Sequence, residues 1–104
     1  MIKDGKAFTP KDENYLEDLP QATQDIVCHW INNNFTPRKT PLYSSTSYGL
    51  KHILNSNIGI YLTNNQYKDA MLRCGYKPVD AEQLNWNYCI SKRSPVFQLW
   101  RWRK

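Results

Sequence analysis

The sequence predicts an α+β domain of three helices and a small antiparallel β-hairpin, and three observations predict it. Residues 63–76, TNNQYKDAMLRCGY, carry helix signals at both ends. Two earlier stretches, opening at Pro20 and at Thr46, repeat apolar residues at helical spacing. Leu84, Trp86, Tyr88 and Ile90 alternate with Asn85, Asn87 and Cys89, which is the period of a half-buried strand.

In chain order, residues 1–17 mix Lys, Asp, Glu and Pro10 with isolated apolar residues and read as a loose N-terminal arm. A single domain is expected over residues 18–97. Pro20 suits a first helical position, and Ala22, Ile26, Trp30 and Thr23, Val27, Ile31 form two neighbouring i, i+4 rows. The run Asn32, Asn33, Asn34 ends this helix, Phe35 turns inward and Pro37 blocks continuation. Residues 36–45, TPRKTPLYSS, read as an extended basic connector. Thr46 or Ser47 caps the second helix, whose Leu50, Ile53, Leu54 and Ile58 fill one face until Gly59 stops it.

Residues 59–62, GIYL, are short and β-prone, and they make the link between helices two and three longer than that of a simple helix-turn-helix. A winged-helix-like arrangement fits better, because a short strand there can pair with a later hairpin. In helix three Thr63 caps the free N–H groups of the first turn and Gln66 reaches back to it. Gly75 supplies the left-handed residue after the last turn, with Tyr76 folding back on Met71. Tyr67, Ala70, Met71 and Cys74 make its buried stripe, which leaves Asn64, Asn65, Lys68, Asp69 and Arg73 to solvent. After the strand through Ile90 come a basic turn and a returning strand at residues 96–99. Residues 98–104 form a basic aromatic tail ending in WRWRK.

At 104 residues the chain has room for one modest core. Four Trp, seven Tyr and three Phe supply enough apolar area to exclude disorder throughout, despite a mean hydropathy of −0.73. Charge is uneven. Residues 1–91 balance, whereas Lys92, Arg93, Arg101, Arg103 and Lys104 carry the whole formal excess of +5. That basic end supports a polyanionic partner. The N-terminus has no signal-peptide pattern and no apolar run reaches the ~18 residues of a membrane span. The expectation is a cytoplasmic protein with no membrane partner. Cys28, Cys74 and Cys89 are an odd number at wide spacing, so reduced thiols are expected.

No catalytic set is visible. His29 and His52 lack an obvious carboxylate, Ser or Cys partner, and Cys28 next to His29 points about 100° away from it on a helix, which does not chelate. No glycine-rich phosphate loop occurs, and no metal or other cofactor is expected. The residues that do carry a chemistry are amides, cations and aromatics. Thr63 at a helix start can hold a phosphate, and Asn64, Asn65, Lys68 and Arg73 can face base edges. Arg38, Lys39, Lys51, Lys92 and Arg93 suit phosphates. Trp100, with Arg101 and Arg103 around Trp102, either stacks on bases or packs onto the sheet.

The runs TSYGLKHIL, GIYLTNNQYKDAML, GYKPVD and LNWNYCISKRSPVF, spanning about Cys28 to Phe97, resemble small uncharacterised proteins of phages and mobile elements of Gram-positive bacteria. The resemblance implies a helix-turn-helix-like core and a bacterial host cell. It implies two functions: DNA binding in gene control or replication, or inhibition of a host defence nuclease or CRISPR effector by direct protein contact. It transfers no catalytic residue, and the WRWRK ending lies outside it.

Overall fold

Residues 15–99, with the helical backbone of 100–102, are described by the computed structural model. After a 3-10 turn at Leu16–Asp18 come α1 (Gln21–Asn34), β1 (Pro37–Leu42), α2 (Ser47–Ile58), α3 (Asn64–Arg73), β2 (Tyr88–Ile90) and α4 (Pro95–Trp102). The fold is α+β. β1 and β2 pair antiparallel, and they are the two strands among the described residues.

α3 has the ends its sequence specifies. Thr63 Oγ1 accepts from the Gln66 N–H at 3.1 Å and Gln66 Oε1 accepts from the Thr63 N–H at 3.0 Å, a reciprocal capping box. Gly75 stands at φ +92°, the Tyr76 N–H returns to Met71 O at 2.9 Å and the Gly75 N–H to Leu72 O at 3.0 Å, which is a Schellman ending. Gly59, at φ +73°, ends α2 in the same left-handed conformation. At the end of α1 the Asn33 and Asn34 side-chain amides fold back and donate to His29 O and Trp30 O, one turn earlier on the same helix. Phe35 then turns inward, its ring edge-on to Trp30 at 5.9 Å.

α3 is the centre of the packing, with α1, α2 and the 3-10 turn all resting on it. Tyr67, Ala70 and Met71 are fully buried and Cys74 is half-buried, as the apolar stripe predicts. Trp86, Tyr88 and Ile90 complete the core, whereas Leu84 stays exposed and Asn87, between Trp86 and Tyr88, is buried too, its amide donating to Leu42 O and Ser45 O. On α1 the Val27, Ile31 row and Trp30 are buried, while Ile26 remains outside.

Several expectations are corrected. The antiparallel partner of β2 is β1, from the segment read as a connector, and not a returning strand at residues 96–99. Residues 59–62 form no strand, because Leu62 drops into the core and Thr63 after it is taken up as the cap of α3. Residues 96–99 lie in α4, which begins at Pro95, a residue whose fixed φ and missing N–H suit a helix start. Val96 is buried there, and the helical backbone runs on through the first residues read as a tail as far as Trp102; residues 103 and 104 lie outside the described residues. Of the residues read as a loose arm, 1–14 lie outside the described residues, and Leu16 is part of the core: it is buried, and its N–H donates to Asp69 Oδ2 at 2.9 Å.

Candidate nucleic-acid interface

The residues assigned to an exposed reading face on α3 are mostly interior. Asn65 and Lys68 are 0% and 1% exposed. The Lys68 ammonium sits 4.7 Å from the centre of the Trp86 ring, which supplies a cation–π contact inside the protein. Arg73 is half-open but committed: it pairs with Glu17 at 3.0 Å and with Asp69 at 3.3 Å. Burial works against its charge, yet the bonds to Asp69 and Glu17 hold its pKa above the ordinary arginine value. Thr63 spends its hydroxyl oxygen on its own helix. A helix packed from several directions has no free polar side, so its amides and cations find partners within the fold.

β1 is where the sequence-predicted cations gather. Pro37 lies opposite Ile90 and Leu42 opposite Tyr88, so four residues of β1 face one residue of β2 and the strand bulges. Arg38 clips that bulge, donating to Thr40 O at 2.9 Å and Pro41 O at 2.7 Å. Arg38 is half-buried and its guanidinium is largely structural, which weakens its assignment to a phosphate. Lys39 is exposed beside it. The turn after β2 is fastened to the same end of the sheet: the Ser91 N–H donates to Thr36 O at 2.7 Å, and Ser94 Oγ accepts from the Thr36 N–H at 2.9 Å. That clasp brings Lys92 and Arg93, both exposed, to the start of β1. Trp100 and Arg101 fall on α4, but their side chains, and Arg103 altogether, lie outside the described residues.

Sequence reasoning missed a second feature, an open cleft of about 440 Å3 where α2 and α3 begin. Tyr48 and Lys51 of α2, Tyr61 and Thr63 of the connecting segment, Asn64 of α3, and Leu84 and Asn85 of the later loop line it. Ser47 ties these segments together. It exchanges backbone and side-chain bonds with Trp86, at 2.8 Å through its N–H and 3.0 Å at its Oγ, and its hydroxyl reaches Asn64 Oδ1 at 3.3 Å. The Asn64 amide in turn donates to Asn85 Oδ1 at 3.2 Å. Tyr48 and Tyr61 remain 51% and 66% exposed, with the Lys51 ammonium 5.3 Å and 4.8 Å from their ring centres. Lys51, assigned to a phosphate by its charge, is thus itself buried beside two rings. The available signal was the i, i+3 spacing of Tyr48 and Lys51, which places them on one side of a helix.

Cys74 Sγ lies 3.9 Å from Cys28 O, and burial followed by the neighbouring Cys28 pushes its thiol from the ordinary 9.0 up to about 12. All three cysteines are unpaired thiols. Among the described residues there is no group of three His, Cys, Asp or Glu placed to hold a metal, and no helix long and apolar enough to cross a membrane. Comparisons with protein-family models, curated proteins and solved structures return no match.

Proposed function

We propose that the protein is a non-enzymatic nucleic-acid-binding protein, of the phage or mobile-element kind its sequence resembles, acting in gene control or replication. One observation carries the reading: Lys39 in the bulge of β1 and Lys92 and Arg93 in the turn fastened to the start of that strand are all exposed, brought to one sheet by chain segments far apart in sequence. The tracts that build this sheet, residues 26–68 and 83–104, contain no acidic residue at all. A concentrated cationic end with no carboxylate in its own tracts is the electrostatic footprint of a phosphate backbone. The element order supports a winged-helix-like reading, with a strand between the first two helices pairing to one after the third. The contact surface is then the sheet end, and α3 is the scaffold behind it.

Duplex binding at low salt, followed by fluorescence anisotropy, tests the proposal. Micromolar binding that weakens steeply with salt is expected. Absence of binding to both duplex and single strand at micromolar protein would overturn it. A second reading is inhibition of a host defence protein, favoured by a groove of about 540 Å3 lined by Ile26, Trp30 and Ile58, in which Ile26 is 51% exposed. A nuclease-resistant partner recovered from host lysate, with no DNA binding, would put that reading first.

A further inference from the structure

We infer that the cleft between the starts of α2 and α3 is a binding site for an unpaired nucleotide. In this arrangement the base lies against the Tyr48 and Tyr61 rings and its phosphate lies near Lys51. The inference rests on the nucleic-acid reading above and adds which form of nucleic acid is held: a single strand.

The cleft has the size and chemistry for it. Its volume of about 440 Å3 falls in the range of small-ligand sites. Its mouth is flanked by two tyrosines that keep more than half their surface in water, although a folding chain with a core to fill would gain by burying them. Exposed rings of this kind are stacking platforms for bases, and they accept any base because every base has a π-face. In a duplex both faces of an internal base are covered by its neighbours, so only an unpaired or terminal base can offer one.

The polar lining favours an anion. All seven lining residues come from the two tracts that hold no acidic side chain, and Lys51 is the one charged residue among the seven. Its ammonium is held by the two rings, which fixes a positive charge beside the surface where the base would lie. Asn85 Oδ1 accepts from Asn64, which turns the other half of the Asn85 amide, its two N–H donors, to use elsewhere. Those donors can serve a phosphate or the acceptor edge of a base. The first turn of α3, with Thr63 and Asn64 in the lining, adds a weaker pull of the same sign.

The cleft and the basic end of the sheet are within reach of one short strand of nucleic acid. Asn85 in the cleft and Lys92 in the basic turn are seven residues apart, so even a fully extended chain would separate them by at most about 25 Å. Phosphates on Lys39, Lys92 and Arg93 and one base in the cleft are therefore compatible with a single oligonucleotide.

The test compares the full chain, its Tyr48→Ala/Tyr61→Ala variant and its Lys92→Ala/Arg93→Ala variant by fluorescence anisotropy on a labelled 12-nucleotide single strand and the matching duplex. Stacking losses predict that the tyrosine variant binds the single strand roughly 5- to 150-fold more weakly and the duplex unchanged. The basic variant should weaken on both. On the wild-type protein, photo-crosslinking of the same strand carrying 4-thiothymidine should label Tyr48 or Tyr61, a readout that needs no variant to fold. Crosslinks confined to the C-terminal tryptophans, or equal single-strand affinity of wild type and tyrosine variant, would overturn the cleft and leave the basic sheet end standing. No binding of either nucleic acid by the wild type would remove both proposals. Tyrosine-dependent binding of poly-glutamate without oligonucleotide binding would assign the cleft to an acidic protein instead.

Discussion

On α3, Lys68 is closed off from water beneath the Trp86 ring, whereas Lys39 in the bulge of β1 and Lys92 and Arg93 in the turn after β2 stand in solvent. The residue types are alike and the availability is opposite. The difference comes from how many elements surround each place. α3 is ten residues long and is packed by α1, α2, the 3-10 turn and the loop that carries Trp86, so almost nothing of it is left over. The sheet has two strands, and the bulge of β1 lifts residues 38–41 away from the pairing. A cation in a sequence therefore informs on ligand binding only once the crowding of its element is known.

The largest effect should come from the crowded side. Met71→Ala removes a fully buried side chain and should cost about 2–5 kcal/mol in urea titrations. Lys68→Ala should also behave as an interior change, costing about 1–3 kcal/mol, because it removes a packed stem together with the contact to Trp86. A loss under about 0.5 kcal/mol for Lys68 would be a surface value and would break the comparison.

Alkaline pH offers the next largest test of the same interior. Burial raises the pKa of Tyr67 and Tyr88 well above their ordinary 10.0, and among the described residues neither hydroxyl has a hydrogen-bond partner that would stabilise a phenolate. Cys74 is raised from 9.0 to about 12 for the same first reason. In each case the unfolded chain loses the proton first. The stability these groups contribute is therefore complete below about pH 9 and is lost as pH rises through the raised folded values. Each buried phenol should remove up to about 1.4 kcal/mol per pH unit above its ordinary value. Urea midpoints unchanged between pH 8 and pH 11 would contradict this. Cys74 should also alkylate slowly at pH 8, since its thiolate is scarce there.

What was legible in the sequence follows a physical line. Caps are local: Thr63 with Gln66, Gly59 and Gly75 act within a few residues, and each was readable. Strand pairing is not local. β1 meets β2 some fifty residues away, and its Pro37 and Pro41 read as breakers because nothing in residues 36–45 reveals a two-stranded sheet in which both strands are edges. Residues 96–99 fit a strand pattern, but Ser94 and Pro95 before them were a helix-start signal that outweighs it. For the site, Lys39, Lys92 and Arg93 were readable as charge, while Lys51, Asn65 and Lys68 were misplaced. Helical periodicity assigns one buried stripe and has no term for a helix buried on several sides.

A smaller effect separates the two carboxylate partners of Arg73. Asp69→Ala leaves the Leu16 N–H without its acceptor in a buried position and should cost about 1–3 kcal/mol. Glu17→Ala breaks a bond between side chains that are 35% and 50% exposed, where solvent screens the pair, and should cost under about 1 kcal/mol. Equal losses would mean that the 3-10 turn is held by its charge pair and not by its buried backbone bond.

The smallest stability effect, and the most informative for function, belongs to the sheet end. Lys39→Ala, Lys92→Ala and Arg93→Ala remove exposed cations for which no hydrogen bond or ion pair of the side chain is found among the described residues, so each should change stability by less than about 0.5 kcal/mol. If they face phosphates, each should weaken duplex and single strand alike and lower the slope of log affinity against log salt by about one unit. Arg38→Ala should differ from all three, because its guanidinium holds Thr40 O and Pro41 O. Its loss should relax the bulge of β1 and show as faster hydrogen exchange of the amides of residues 38–42. A salt slope unchanged in Lys39, Lys92 and Arg93 variants, with wild-type binding intact, would move the contact away from the sheet end even though the protein binds nucleic acid.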